Sequence, residues 1–328
     1  MQATHTHYRT CNLCEAMCGL EIETRNQEIL SIRGDRQDPF SRGHICPKAL
    51  GLKDIYEDPD RLRTPLRRTA SGWQEMPWEE ALDEVAIRLK DIQARYGKQA
   101  VGVYQGNPNV HNMGTLLFGP DFIRSLGTPN RFSATSADQL PHHFAALLMF
   151  GHYFMIPIPD VDHTDYLLIL GANPLVSNGS LMSAPGIAGR LRAIQERGGK
   201  IVVVDPRHTE TAAKADEHFF IRPGHDPLLL LAMIHVLFEE GRVNPGHLAT
   251  VTDGWAEMEA LSADFAPEVV APLLAIGAAD IRRLAGEFSE AKSAVCYGRI
   301  GTSTQAFGGL ATWLINVLNL LTGNLDRR

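Results

Sequence analysis

The chain has 328 residues, 44% hydrophobic and 21% charged, an ordinary globular composition with room for two or more domains. Its 31 Lys and Arg against 38 Asp and Glu give a formal net charge of −7, which argues against a nucleic-acid-binding surface. The longest apolar runs, Phe144–Phe150 and Leu310–Leu321, fall short of the ~20 residues a helix needs to cross a bilayer. The first ten residues show no basic region, apolar core or twin arginine, so a cytoplasmic location without membrane insertion is expected.

In chain order, four cysteines come first. Cys11, Cys14 and Cys18 follow a C-x2-C-x3-C spacing, and Cys46, trailed by Pro47 and Lys48, arrives after residues 19–45. Three bunched thiols and a fourth from a returning loop suit a four-iron cluster held by thiolates. A structural zinc site is the alternative, although it more often draws on two separated cysteine pairs. Disulfides are the weakest reading in a cytoplasmic chain. Cys296 lies in an apolar strand-like stretch and reads as a buried thiol. Alternation over 20–24 and 28–33 predicts a β-hairpin turning at 25–27. His5, His7 and His44, near the cysteines, read as solvent-facing.

Asp58-Pro59 and Thr64-Pro65 mark a linker. Apolar residues at Ala81, Leu82, Val85, Ala86, Leu89 and Ile92 predict a helix over 78–96 closed by Gly97, and Val101–Tyr104 a short strand. Beyond residue 134, strands at 166–170, 200–204 and near 218–221 alternate with helices at 186–197 and 226–240. Tyr166–Leu170 is apolar throughout, as in a strand covered on both faces. Leu310–Leu321 reads as a buried helix that needs a partner surface. The fold class is therefore α/β: a small β-rich cysteine-bearing unit over 1–60, a mixed α/β part over 61–133, and a doubly wound parallel sheet over 134–328.

Three of these strands end in ligand-like loops: Gly171-Ala172-Asn173-Pro174, Asp205-Pro206-Arg207 and Arg222-Pro223-Gly224. Glycines let a backbone approach phosphate or heterocycle closely. Asp205 suits a ribose hydroxyl or guanine N–H groups, and Arg207 and Arg222 suit phosphates. Each loop alone reads equally well as a plain turn, but three in succession favour a nucleotide-bearing ligand at the carboxyl ends of the strands. Neither G-x-G-x-x-G nor G-x4-G-K-[ST] occurs, so the usual dinucleotide and P-loop fingerprints are absent.

The cysteine pattern with Pro47-Lys48, the loop at Gly171–Pro174, Val204-Asp205-Pro206-Arg207-His208-Thr209-Glu210-Thr211 and Arg222–Asp226 together resemble the molybdopterin oxidoreductases. This is the dimethyl sulfoxide reductase superfamily, with its formate dehydrogenases and periplasmic nitrate reductases. The resemblance implies a [4Fe-4S] cluster on Cys11, Cys14, Cys18 and Cys46, with Lys48 between cluster and pterin. It also implies molybdenum or tungsten held by two molybdopterin guanine dinucleotides (bis-MGD). Gly171, Asn173, Asp205, Arg207, Thr209, Arg222, Gly224 and Asp226 would then form one dinucleotide site. The implied activity is two-electron redox or oxygen-atom transfer on a small-molecule substrate, with electrons passed to an electron-transfer protein or subunit. The family's C-terminal domain has no counterpart here, so a separately encoded C-terminal half is an expected partner.

Against the same family, Asp138 falls at the position of the metal's protein ligand, and a different gap selects Ser133 or Ser136. The plainer reading is Ser136-x-x-Gln139 as a capping box, with Asp138 in the helix's first turn. His142 is a candidate proton-handling group beside it, and His143 lies next to it. Gly298–Gln305 resembles a segment lining the substrate cavity, where Arg299 or Gln305 would orient a polar substrate. Two other readings stay open: a non-catalytic iron–sulfur scaffold subunit, and a non-redox hydratase on the same scaffold.

Overall fold

A computed structural model describes residues 3–26 and 28–327, which form two compact units, Met1–Ala134 and Thr135–Arg328. In the first, β1 (Thr4–Thr10), β2 (Gly19–Arg25) and β3 (Glu28–Gly34) make an antiparallel sheet in that order. β2 and β3 are the expected hairpin, with a register irregularity at Glu23/Thr24; Gln27, in the expected turn, lies outside the described residues. β1 pairs with β2 from Thr4 opposite Arg25 to Thr10 opposite Gly19. All seven of its residues are exposed, so no apolar alternation marks it in the sequence.

The hairpin's Leu20 and Ile32 pack with Cys11, Ala16, Cys18 and Ala49 into a small core. α1 (Pro47–Glu57) begins with Pro47, whose missing N–H costs nothing in a first turn. A hairpin of β4 (Leu66–Thr69) and β5 (Gly72–Glu75) follows, then α2 (Trp78–Tyr96), ended by Gly97 at φ 83°. β6 (Val103–Gln105) starts two residues later than expected, because residues 98–100 form a 3-10 turn. α3 (Met113–Leu126) then leads to β7 (Arg131–Ser133), parallel to β6.

The second unit opens with α4 (Thr135–Asp138) and α5 (Leu140–Phe150). Next come β8 (Tyr166–Leu170), α6 (Pro174–Ser177), α7 (Ile187–Glu196), β9 (Lys200–Val204), β10 (Glu217–Phe219) and α8 (Asp226–Glu239). α9 (Trp255–Ser262), α10 (Pro267–Leu274), α11 (Ala278–Glu290), β11 (Ala294–Gly298) and α12 (Gly308–Leu321) complete it. The four strands are parallel, in the order β10-β9-β8-β11.

Alternate residues of β8 and β9 serve opposite faces. Leu168, Leu170, Val202 and Val204 pack with Leu230, Ile234, Phe288 and Leu318, whereas Leu167, Ile169, Ile201 and Val203 pack with Ile187, Leu191 and Ile194 of α7. Helices thus cover both faces, which explains strands apolar at every position; each fully buried Leu or Ile contributes ~1.5–3 kcal/mol. The chain runs outward from β8 through β9 to β10, then returns to the other side of β8 as β11. That reversal makes the carboxyl ends of β8 and β11 a topological switch point, the position whose crevice receives ligands in open α/β sheets.

Among the described residues, β11 has no strand on its outer edge. Asn319 of α12 covers it instead: its Oδ1 accepts from Cys296 N and its Nδ2 donates to Cys296 O, both at 2.9 Å. Asn324 Oδ1 accepts from Ala294 N at 2.9 Å. Two asparagine side chains therefore occupy part of an edge that would otherwise expose backbone groups. Cys296 itself is buried as expected, and burial raises its thiol far above the ordinary value.

Candidate cluster site and strand-end crevice

The first site is the cysteine loop. Cys11 N donates to Cys18 O at 2.8 Å and Met17 N to Cys14 O at 3.2 Å, folding residues 11–18 back on themselves. Met17 takes a left-handed φ of 45° to make the turn. The return loop is clamped to this segment: Gly19 N donates to Ser41 Oγ, and Asp38 Oδ2 accepts from both the amide and the hydroxyl of Ser41. Gly34 and Gly43 touch so closely that a Cβ at Gly34 would lie 2.0 Å from Gly43 O. Cys46 then caps α1, and Lys48 is exposed in that helix's first turn.

All four cysteines are free thiols. Burial pushes Cys18 up to about 11, and the charges of Cys11, Cys14 and Cys46 add to the shift. Cys11 is raised by burial, then by Cys14 and Cys46, while the Leu13 amide and Lys48 pull it down. The four sulfurs thus share one electrostatic neighbourhood, and a cationic centre among them would relieve the repulsion. Among the described residues no three His, Cys, Asp or Glu side chains close on a point as around a single ion. His5 and His7 are exposed on β1 as expected; His44 is not solvent-facing, since it is half-buried and its Nε2 is enclosed without a hydrogen bond.

The second site lies along the strand ends of the other unit. After β8, Gly171 at φ 53° brings its backbone against the loop after β11: Gly301 N donates to Gly171 O at 3.0 Å. Asn173 is fixed from both ends, Nδ2 donating to Glu210 Oε2 at 2.6 Å and Oδ1 accepting from Thr211 Oγ1 at 2.7 Å. After β9, Asp205 Oδ1 accepts from Arg207 N at 2.8 Å, and Arg207 Nη2 reaches Glu210 at 3.4 Å. Glu210's own amide, Asn173 and Arg207 hold its carboxyl below the usual range. Glu210, which the sequence marks only as part of the Val204–Thr211 motif, is thus the carboxylate that ties the two loops together.

Thr209 is buried, and its hydroxyl accepts from Ala212 N, so it shapes the loop from within. After β10, Arg222 is exposed and Gly224 has φ 80°. Asp226 opens α8 and is buried; desolvation raises its carboxyl to about 6, with the charge of Asp205 adding to the rise. Two exposed arginines, a strand-end aspartate and a buried aspartate sensing it make a donor set suited to a phosphate-bearing purine ligand.

The third group gathers beside the β8–β11 crevice. Asp138 ends α4, in which Ser136 lies, and Gln139, whose N donates to Thr135 O at 3.1 Å, stands at the start of α5. Asp138 Oδ1 lies 2.7 Å from Nη1 of Arg299, the residue after β11. The contact is close but poorly directed: both atoms are sealed from solvent, and neither completes an aligned hydrogen bond. His142 is buried in α5, with Nε2 3.2 Å from Ser303 Oγ. Burial, then the Arg299 and His143 charges, push its pKa down to about 4, so the imidazole is neutral at physiological pH. A cavity of about 780 Å³ opens beside His142 and runs along the outer edge of β11. His143 points elsewhere, its Nδ1 2.8 Å from Tyr153 O. Of the alternatives to Asp138, Ser133 ends β7 in the first unit and Ser136 lies in α4.

Residues 1–57 match the molybdopterin oxidoreductase Fe4S4 domain, and residues 61–328 match the molybdopterin oxidoreductase family. Formate dehydrogenase H of Escherichia coli is 30% identical over 97% of this chain and 44% of its own length. Nitrate reductase of Symbiobacterium thermophilum is 29% identical over 98% of this chain and 43% of its own. Among solved structures, acetylene hydratase from Pelobacter acetylenicus superposes with a TM-score of 0.80 at 25% identity, covering 97% of this chain and 44% of that one. The chain thus spans less than half the length of the relatives it matches.

Proposed function

This chain belongs to the molybdopterin oxidoreductase family, and from that premise we propose that it is the cluster-bearing, pterin-binding portion of an enzyme for two-electron redox or oxygen-atom transfer. The family's Fe4S4 and molybdopterin domains imply a [4Fe-4S] cluster and a molybdenum or tungsten molybdopterin cofactor. When bound, these groups supply a two-electron centre and a one-electron relay. Cys11, Cys14, Cys18 and Cys46 hold the cluster, and Lys48 lies beside it as a fixed positive charge. Asn173, Asp205, Arg207, Arg222 and Asp226 bind the guanine dinucleotide, with Gly171 and Gly224 shaping the loops and Thr209 supporting them from within.

Asp138 is the protein ligand to the metal in this reading, ahead of Ser133 and Ser136. The observation that carries it is Asp138 Oδ1, enclosed and without an aligned hydrogen bond although 2.7 Å from Arg299 Nη1: a carboxylate oxygen so placed suits a hard, high-valent cation. His142, neutral and bound to Ser303, orients polar groups at the crevice; a pKa near 4 makes it a weak proton acceptor at neutral pH. An electron-transfer partner and a cytoplasmic setting that keeps thiols reduced complete the proposal. No helix among the described residues is long and apolar enough to cross a membrane.

Anaerobic purification with metal and pterin analysis tests this. Iron near four per chain together with molybdenum or tungsten and pterin is expected; a colourless, zinc-bearing protein refutes it. The likeness to acetylene hydratase supports a second reading, a non-redox hydratase. Turnover of substrate with no electron carrier present selects that reading over the first.

A further inference from the structure

An imidazole nitrogen without a partner lies in the loop that delivers the last cysteine. Arg42 and Gly43, at left-handed φ of 51° and 85°, turn this loop, and His44 N donates to Ser41 O at 2.9 Å. The turn fixes the backbone that leads from His44 into Cys46 and α1. His44 Nε2 is sealed from solvent and meets no hydrogen-bond partner. Acceptors along the loop are engaged elsewhere. Ser41 Oγ accepts from Gly19 N, Asp38 Oδ2 takes the amide and hydroxyl of Ser41, and Cys46 O takes Ala49 N at 3.0 Å. An enclosed N–H without an acceptor is costly, and its persistence in a folded protein points to a group that binds against it.

The four thiols supply the place for such a group. Cys46 stands two residues after His44, and its charge is felt by both Cys11 and Cys18. A four-iron cluster held there carries sulfide and thiolate sulfurs, all of them hydrogen-bond acceptors. We propose that His44 Nε2–H donates a hydrogen bond to a sulfur of that cluster and thereby raises its reduction potential. This rests on the four cysteines holding the cluster as proposed above. A donor on a cluster sulfur stabilises the reduced, more negative state over the oxidised one. Lys48 differs in kind: it is exposed, so solvent and salt screen its charge, whereas an enclosed N–H acts at contact. His5 and His7 are exposed on β1 and offer no enclosed donor.

A redox titration of the anaerobically purified holoenzyme, followed by electron paramagnetic resonance, tests this, with iron and sulfide measured on every sample. His44→Phe at equal iron content should shift the cluster's reduction equilibrium about tenfold toward the oxidised form, which is about 59 mV for one electron. His44→Gln keeps an N–H donor and should recover most of that shift. Pulsed resonance on the reduced wild-type cluster, in protein carrying isotopically labelled histidine, should show a histidine nitrogen coupling that His44→Gln lacks. An unchanged potential in iron-replete His44→Phe overturns the proposal while leaving the cluster assignment standing. If His44→Phe does not hold iron, the absence of a histidine coupling in wild type overturns it equally. Wild type without a four-iron signal sinks the cluster assignment first, and the role of His44 with it.

Discussion

Replacing Asn319 by Leu probes the edge strand from which Arg299 emerges. The substitution keeps the branched outline of the side chain, with the same number of heavy atoms, but removes the acceptor for Cys296 N and the donor to Cys296 O, two bonds of 2.9 Å in a buried setting. Asn319 Nδ2 also donates to Ile315 O at 2.9 Å, but that carbonyl lies within α12 and keeps its helical bond, so its loss matters less. Two buried backbone groups left unmet at about 1–3 kcal/mol each give a local destabilisation of about 2–6 kcal/mol. Unfolding of a protein with bound cofactors is rarely two-state, so amide hydrogen exchange in the folded protein is the better assay. The Cys296 amide should exchange faster by at least about 30-fold, corresponding to the lower bound of about 2 kcal/mol, while Leu168 on the next strand changes less. Unchanged protection of Cys296 in Asn319→Leu would show that water or another group satisfies the edge and that the asparagine bridge is dispensable.

Further outcomes follow from other sites. Cys46→Ser should lower iron content and visible absorption well below wild type, and full retention of a four-iron signal would remove Cys46 from the ligand set. Because folding raises Asp226 from 3.8 to about 6, the folded state binds the extra proton; this group's contribution to stability is therefore full below about pH 4 and is lost as pH rises through 6, a change of about 3 kcal/mol that Asp226→Asn should abolish in a pH-stability profile. His142 works the other way. Its pKa falls from 6.5 to about 4, so its contribution is present above pH 6.5 and disappears as pH drops through 4, a dependence that His142→Phe should flatten in the same profile. Gly301→Ala places a Cβ 2.6 Å from Gly171 O and should cost about 1–3 kcal/mol in thermal stability, with weakened guanine-nucleotide binding; an unaffected protein would mean the two loops part freely.

Much of this architecture was readable in one dimension because its signals are local. Tyr166–Leu170 and Lys200–Val204 announce themselves as strands enclosed on both faces, α2 by its helical period, and α12 by an apolar stretch too continuous for a surface. The cysteine spacing is local in the same way, and it suggested a thiolate-held cluster from sequence alone. What tertiary structure alone decided was adjacency. β1 carries no apolar code and exists only through its pairing with β2. β11 lies on the far side of β8, a placement that no residue within it dictates. That placement brings Arg299 onto Asp138 and Ser303 onto His142, 161 residues away in sequence, and turns an expected helix cap into half of a partly buried ion pair. Hydrophobic periodicity is written along the chain, whereas the pairing of charges depends on which strand ends the fold brings side by side.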